Sequence, residues 1–237
     1  MDSLLTRNSL RLAAKAAGIS PSATTTRTKR SVGYPPKFWP NATTLLIAFI
    51  DELEQQHKEK IVEAINQWQP YVNLRFEFVD GREGHPGYLK GDIRILTNFS
   101  QNYSVFGTDA KQNDPWDATM VLGIKPSDPK FVSTVLHEFG HALGAEHEHQ
   151  HPEADIPWDL PKVYEYYTAK GHSKDVIDES VLRRVSADAV LMLPYDRHSI
   201  MHYPVDNALT IGDWAVGDNL TLSDKDKEFM RRAYPRE

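Results

Sequence analysis

The sequence predicts an α+β fold in two lobes, on three observations. Residues up to about 144 mix strand-like runs with two amphipathic helical stretches. The pattern then weakens, and a capped helix closes the chain. Five of the ten histidines crowd into residues 137–151, where the two regions meet. A chain of 237 residues is long enough for one good-sized domain, or one domain divided into two lobes.

Residues 1–36 stand apart. They hold six basic side chains and one acid, net +5, which leaves −11 on the remainder of a chain whose total is −6. With Ser/Thr runs and scattered Gly and Pro, they read as a basic leader or flexible arm. Arg7, Arg11 and Lys15 interrupt what a secretory signal would keep apolar. A disordered tail and an amphipathic targeting helix over 3–17 both stay open. Thr44–Ile50 is a continuous apolar run suited to a buried strand. Glu54–Gln69 places Ile61, Ala64, Ile65 and Trp68 at helical spacing, and Pro70 ends that helix. Leu74–Phe78 alternates strictly and reads as a half-buried strand. Asp92–Leu96 is another, and Ala118–Gly123 reads as a short edge strand. Asp128-Pro129 opens a second helix with an apolar stripe from Phe131 to Leu143, stopped by Gly144. Beyond it, helices are expected near 160–170 and 174–185, then a loop-rich stretch to about 221. A final helix starts at its Ser223 cap and ends before Pro235.

Composition narrows the function classes. Apolar residues at 40% and charged residues at 25% are ordinary globular values and exclude disorder of the whole chain. No run of 18 apolar residues exists, so no transmembrane helix is expected. The absence of cysteine removes disulfides, thiolate metal sites and a thiol nucleophile, so any metal must be held by histidine and carboxylate. A net charge of −6 argues against nucleic acid as a partner.

The chemistry is concentrated in His137-Glu138-Phe139-Gly140-His141. Residues i and i+4 of a helix share one face, so both imidazoles can point at one ion. Glu138 is offset by about 100° of rotation and can reach a water at that ion without ligating it. Gly144 turns the chain and His147 follows three residues later, which completes H-E-x-x-H-x-x-G-x-x-H. That gives three nitrogen ligands and an open fourth position. At this composition the full pattern is expected by chance about 6 times in 100,000 chains of this length, so it is not a coincidence of histidine content. A second signal, Ser199-Ile200-Met201-His202-Tyr203, lies downstream.

Together these motifs resemble the metzincin zinc peptidases and, through Glu148 and the Met-His-Tyr ending, the astacin group among them. The resemblance covers roughly 37–235, with Phe38-Trp39-Pro40-Asn41 and Asp92-Ile93-Arg94-Ile95 also similar to that family. It implies an α+β metzincin fold. A twisted mixed β-sheet and the active-site helix form an upper lobe (37–144) above an irregular lower lobe (145–237), with the zinc cleft between them. It implies one catalytic Zn2+ on His137, His141 and His147, Glu138 as general base, and Met201 in a structural turn beneath the metal. Tyr203 is then a fifth ligand or a transition-state stabiliser, with a core tyrosine as the other reading. An extended peptide would add as a strand to the edge at 118–123. His149, His151 and His202 read as structural or solvated rather than as further ligands. The chain departs from animal astacins in lacking cysteines, in having Ala145 where phenylalanine is usual, in His149-Gln150-His151-Pro152, and in showing no aspartate-glycine latency motif upstream.

In this family the glutamate matching Glu148 contacts the amino group of the processed N-terminus. Cleavage after the dibasic pair Lys29-Arg30 would expose Ser31, eight residues before Trp39, and would make 1–30 a propeptide. The expected function is a monomeric zinc metalloendopeptidase acting on peptide or protein substrates. A zinc-holding but inactive peptide-binding module is the rival, and Glu138 counts against it. Localisation stays open. Sequons at Asn41, Asn98, Asn102 and Asn219 and the dibasic pair suggest secretion, whereas the absence of cysteine and of a signal peptide points the other way.

Overall fold

In a computed structural model of the protein, the described residues are 33, 35–185 and 191–236. Of the expected basic leader at 1–36, residues 33, 35 and 36 are described; the expected propeptide at 1–30, with Lys29-Arg30, lies outside the described residues. Five strands form one sheet: β1 (Thr44–Phe49), β2 (Arg75–Asp80), β3 (Ile93–Leu96), β4 (Asn102–Ser104) and β5 (Met120–Leu122). Their order is β2-β1-β3-β5-β4. β1, β2, β3 and β5 run parallel, and β4 alone is antiparallel. The apolar run of β1 is central, with Ile47 level with both Phe78 and Ile93.

One expectation is overturned. Residues 118–123 are not an edge. β5 sits between β3 and β4, and Met120, Val121 and Leu122 are all buried. An uninterrupted apolar run belongs to an interior strand. The edge on this side of the sheet is β4, whose short polar sequence Asn-Tyr-Ser carries no strand periodicity.

Helices α1 (Gln55–Asn66) and α2 (Phe131–Ala142) pack against each other. Ile61, Ala64 and Ile65 of α1 join Val135, Leu136 and Phe139 of α2 in the main core. The Phe139 ring meets Phe76 of β2 edge-on at 5.1 Å. α1 tightens into a 3-10 turn at Gln69–Tyr71 rather than running on to Gln69 as a helix. Asp128 opens α2 as expected: its carbonyl and side chain accept from the Phe131 and Lys130 amides.

The lower lobe holds α3 (Leu160–Ala169), α4 (Lys174–Ile177) continuing as a π turn over Asp178–Leu182, and α5 (Asp224–Ala233). Its first part is built on small clusters around Val163, Ile177 and Leu209 and around Ile156, Val205 and Val216. α5 instead packs into the main core through Phe229, Met230 and Tyr234. Its start is a full capping box between Ser223 and Asp226.

Candidate metal centre

α2 arrives at the site with its C-terminal turn held by side chains from elsewhere. The last carbonyls of a helix have no partner within it. Here Trp39 Nε1 donates to Ala142 O at 2.8 Å and Tyr234 Oη to Leu143 O at 2.7 Å. Gly144 then takes φ = +95°, the left-handed conformation that lets the chain reverse toward His147. Gly140 has a different reason to be glycine. A Cβ there would lie 2.5 Å from Met201 Sδ, so the methionine packs directly under the histidine-bearing turn. Met201 is buried in the core.

The structure brings His137, His141 and His147 together, with one nitrogen of each inside a sphere where all lie within 4.8 Å of one another. His137 Nδ1 is 2.8 Å from Ile200 O, and His141 Nδ1 is 2.7 Å from Ala145 O. A carbonyl only accepts, so both rings carry their proton on Nδ1 and present the Nε2 lone pair inward. His141 Nε2 and His147 Nε2 are 2.9 Å apart. Two nitrogens at the zinc bond length of about 2.0–2.1 Å in a tetrahedral shell sit about 3.3 Å from each other. Three neutral imidazoles converging this closely, two of them fixed in the ligating tautomer, fit one zinc ion.

Glu138 is 4% exposed and shares the wall of a cleft of about 650 Å³ with His137, Tyr203 and Asn102. The Tyr203 ring lies 4.3 Å from that of His147 and 5.3 Å from that of His137. Glu148 stands behind the site. Its Oε1 accepts from Asp196 N at 2.8 Å, and its own amide donates to Met201 O. It borders a small cavity of about 30 Å³ together with Met201 and Asp226.

The neighbouring histidines are structural. His149 Nε2 donates to Ser180 O at 3.0 Å. His151 Nε2 donates to Leu193 O, while its Nδ1 accepts from Glu153 N. His202 is held by Tyr195 Oη and Tyr203 O. Burial pushes His149 down to about 3 and His202 to about 4, so both rings are neutral at pH 7. Sequence reading missed the part that Asp226, Ser199 and Asn219 play in holding the methionine turn. Asn219 Nδ2 donates to Arg197 O and Ser199 O, each at 2.8 Å, and fixes the turn that carries Met201. The Ser223-x-x-Asp226 spacing signals a helix cap but not the bonds Asp226 makes to that turn.

This constellation is that of a metzincin-type zinc site, and the comparisons agree. Residues 31–234 match the family model of the Astacin peptidases, and the chain belongs to that family. It is similar to the solved structure of myroilysin at 34% identity and a TM-score of 0.78, covering 86% of this chain and 98% of that one. Zinc metalloproteinase nas-26 of Caenorhabditis elegans is 37% identical over 75% of this chain and 47% of its own length. The medaka (Oryzias latipes) hatching enzyme HCE-1, a zinc-protease, shares the fold at 17% identity and a TM-score of 0.57, covering 89% of this chain and 97% of its own. The chain spans between 20% and 47% of the length of the curated relatives it matches. Among the described residues, no helix is long and apolar enough to cross a membrane.

Proposed function

We propose that the protein is a zinc-dependent metalloendopeptidase that hydrolyses extended peptide segments, with Glu138 as general base. The observation that carries this is a three-imidazole set with the Glu138 carboxylate on the helix that bears two of its members, His137 and Glu138 both lining a cleft of about 650 Å³. When zinc is bound, its Lewis acidity polarises a scissile carbonyl and brings a water's pKa toward neutrality. Glu138 takes the proton from the attacking water and returns it to the leaving amine. The Tyr203 hydroxyl donates to the oxyanion as charge develops. An incoming peptide pairs with β4, the edge strand whose Asn102 lines the cleft, in place of the 118–123 segment.

Glu148 receives the amino group of Ser31 after cleavage behind Arg30. Gly33 pairs with Leu191 and packs against Gly144, while Ala145 and Leu193 line the cavity beside Glu148. The family match also begins at residue 31.

Incubating the zinc-loaded protein with an unbiased peptide library tests the activity. Cleavage that a chelator abolishes and added zinc restores is expected. A protein holding one zinc that cuts no peptide in the library, before or after removal of 1–30, would instead be a binding module. Mass spectrometry of the natively produced protein tests the propeptide: a mature chain beginning at Ser31 is expected, and a fully active form retaining Met1 would exclude it.

A further inference from the structure

His137 and His141 lie one turn apart, yet their outer nitrogens meet different surroundings. His141 Nδ1–H donates to Ala145 O, in the backbone immediately after its own helix. His137 Nδ1–H donates across the lobes to Ile200 O in the methionine turn. The peptide group bearing that oxygen continues outward. Its N–H belongs to Met201 and donates to Ser199 Oγ at 3.0 Å. Ser199 Oγ in turn donates to Asp226 Oδ1 at 2.6 Å. Every link has its donor on the His137 side, so the chain runs in one sense from an imidazole N–H to a carboxylate.

The carboxylate is built in. Asp226 is 6% exposed, and its other oxygen, Oδ2, accepts from Ile200 N and Ser223 N, both at 2.8 Å. The neighbouring cation, Lys225, donates instead to the carbonyls of Pro194 and Tyr195. Burial pushes the Asp226 carboxyl upward from its ordinary range, against the pull of these donors. A capping box needs only a surface carboxylate near its helix start. Burying this one 27 residues downstream of Ser199 places it at the end of the His137 chain.

We propose that Asp226 is a positioning residue for the metal site, which orients and polarises the zinc ligand His137 through Ser199 and the Ile200–Met201 peptide. Metal-bound histidines commonly hand their outer N–H to a carboxylate, which fixes the tautomer and raises the basicity of the ligating nitrogen. Here a hydroxyl and a peptide group stand between the two ends, and aligned hydrogen bonds polarise one another along such a chain. The inference rests on the histidines as zinc ligands and not on peptidase activity, so it is read without substrate.

The test compares the full chain with Asp226→Asn and Ser199→Ala. The first keeps the shape and removes the charge. The second cuts the chain and leaves the Asp226 bonds to Ile200 N and Ser223 N in place. Zinc affinity by chelator competition at pH 7 is expected to weaken about tenfold in each, the lower end for loss of such an outer partner. In the zinc-loaded protein, the His137 Nδ1–H proton resonance is expected to move upfield in both. Asp224→Asn, at the exposed start of α5, is expected to change neither. If Asp226→Asn lowers the melting temperature of the metal-free protein but leaves zinc affinity and the His137 resonance unchanged, Asp226 only staples α5 to the turn and the proposal is overturned. If Asp226→Asn does not fold, Ser199→Ala decides alone: unchanged zinc affinity overturns the proposal and a tenfold loss upholds it.

Discussion

The two lobes hold their share of the metal site by different means. In the upper lobe, α2 places His137, Glu138 and His141 by helical geometry, and its backbone needs side-chain partners only at its C-terminal end, from Trp39 and Tyr234. In the lower lobe, the segment from Arg197 to Tyr203 has no regular structure to satisfy its polar groups. There side chains take over: Asn219 donates to two carbonyls, Ser199 accepts one amide, and Asp226 accepts another. A helix can carry a motif that depends on spacing alone. An irregular turn needs its own Ser199, and Asp226 and Asn219 supplied from further along the chain, because buried backbone groups without partners are costly.

That contrast can be broken from either side. The largest effect on zinc affinity is expected for His147→Ala, which removes the ligand standing beyond α2. At about 3 kcal/mol per ligand, zinc affinity should fall by a hundredfold or more. A fluorescent-chelator competition reads this directly, and affinity within a few-fold of wild type would mean the upper lobe suffices. Tyr203→Phe should lower kcat about 10²-fold with zinc content unchanged. An unaltered kcat would make the tyrosine a packing residue only. Gly140→Ala should push against Met201 and lower stability by about 1–3 kcal/mol in urea titration, with the two-lobe contact as the part that yields.

The smallest effect is on the pH dependence of stability. His151 is fully buried, and burial lowers its pKa from 6.5. A histidine with a depressed folded pKa stays neutral in the fold while the unfolded chain protonates. Its contribution is therefore complete above pH 6.5 and declines as the pH falls below that value. The urea midpoint should drop between pH 7 and 5.5, and His151→Asn should flatten that drop. Asp80, held down to about 2 chiefly by its hydrogen bond to Arg82, contributes fully above about pH 4 and loses that contribution only in a separate window, as the pH falls from 4 toward 2.

The same contrast accounts for what the sequence made legible. Periodic elements showed themselves: the β1 run, the α1 and α2 stripes, the Ser223 cap and the histidine spacing. β4 did not, because three residues with polar side chains carry no period, and the sequence pattern alone puts the edge at its neighbour β5. The sequon asparagines were ambiguous in sequence and are partly resolved by structure. Asn41 Nδ2 donates to Pro235 O, Asn102 Oδ1 accepts from Ile124 N, and Asn219 holds the methionine turn. The role of Asp226 was hidden because it depends on folding α5 back against residues 199–201, a proximity that no local pattern encodes.

The most direct test of the account is Glu138→Ala in the zinc-loaded protein, with metal content and peptide hydrolysis measured on the same sample. One bound zinc with a loss of about 10⁴-fold in kcat/KM is expected of a general base beside an intact metal site. One bound zinc with hydrolysis within a few-fold of wild type would contradict the assignment of Glu138 and the peptidase mechanism built on it.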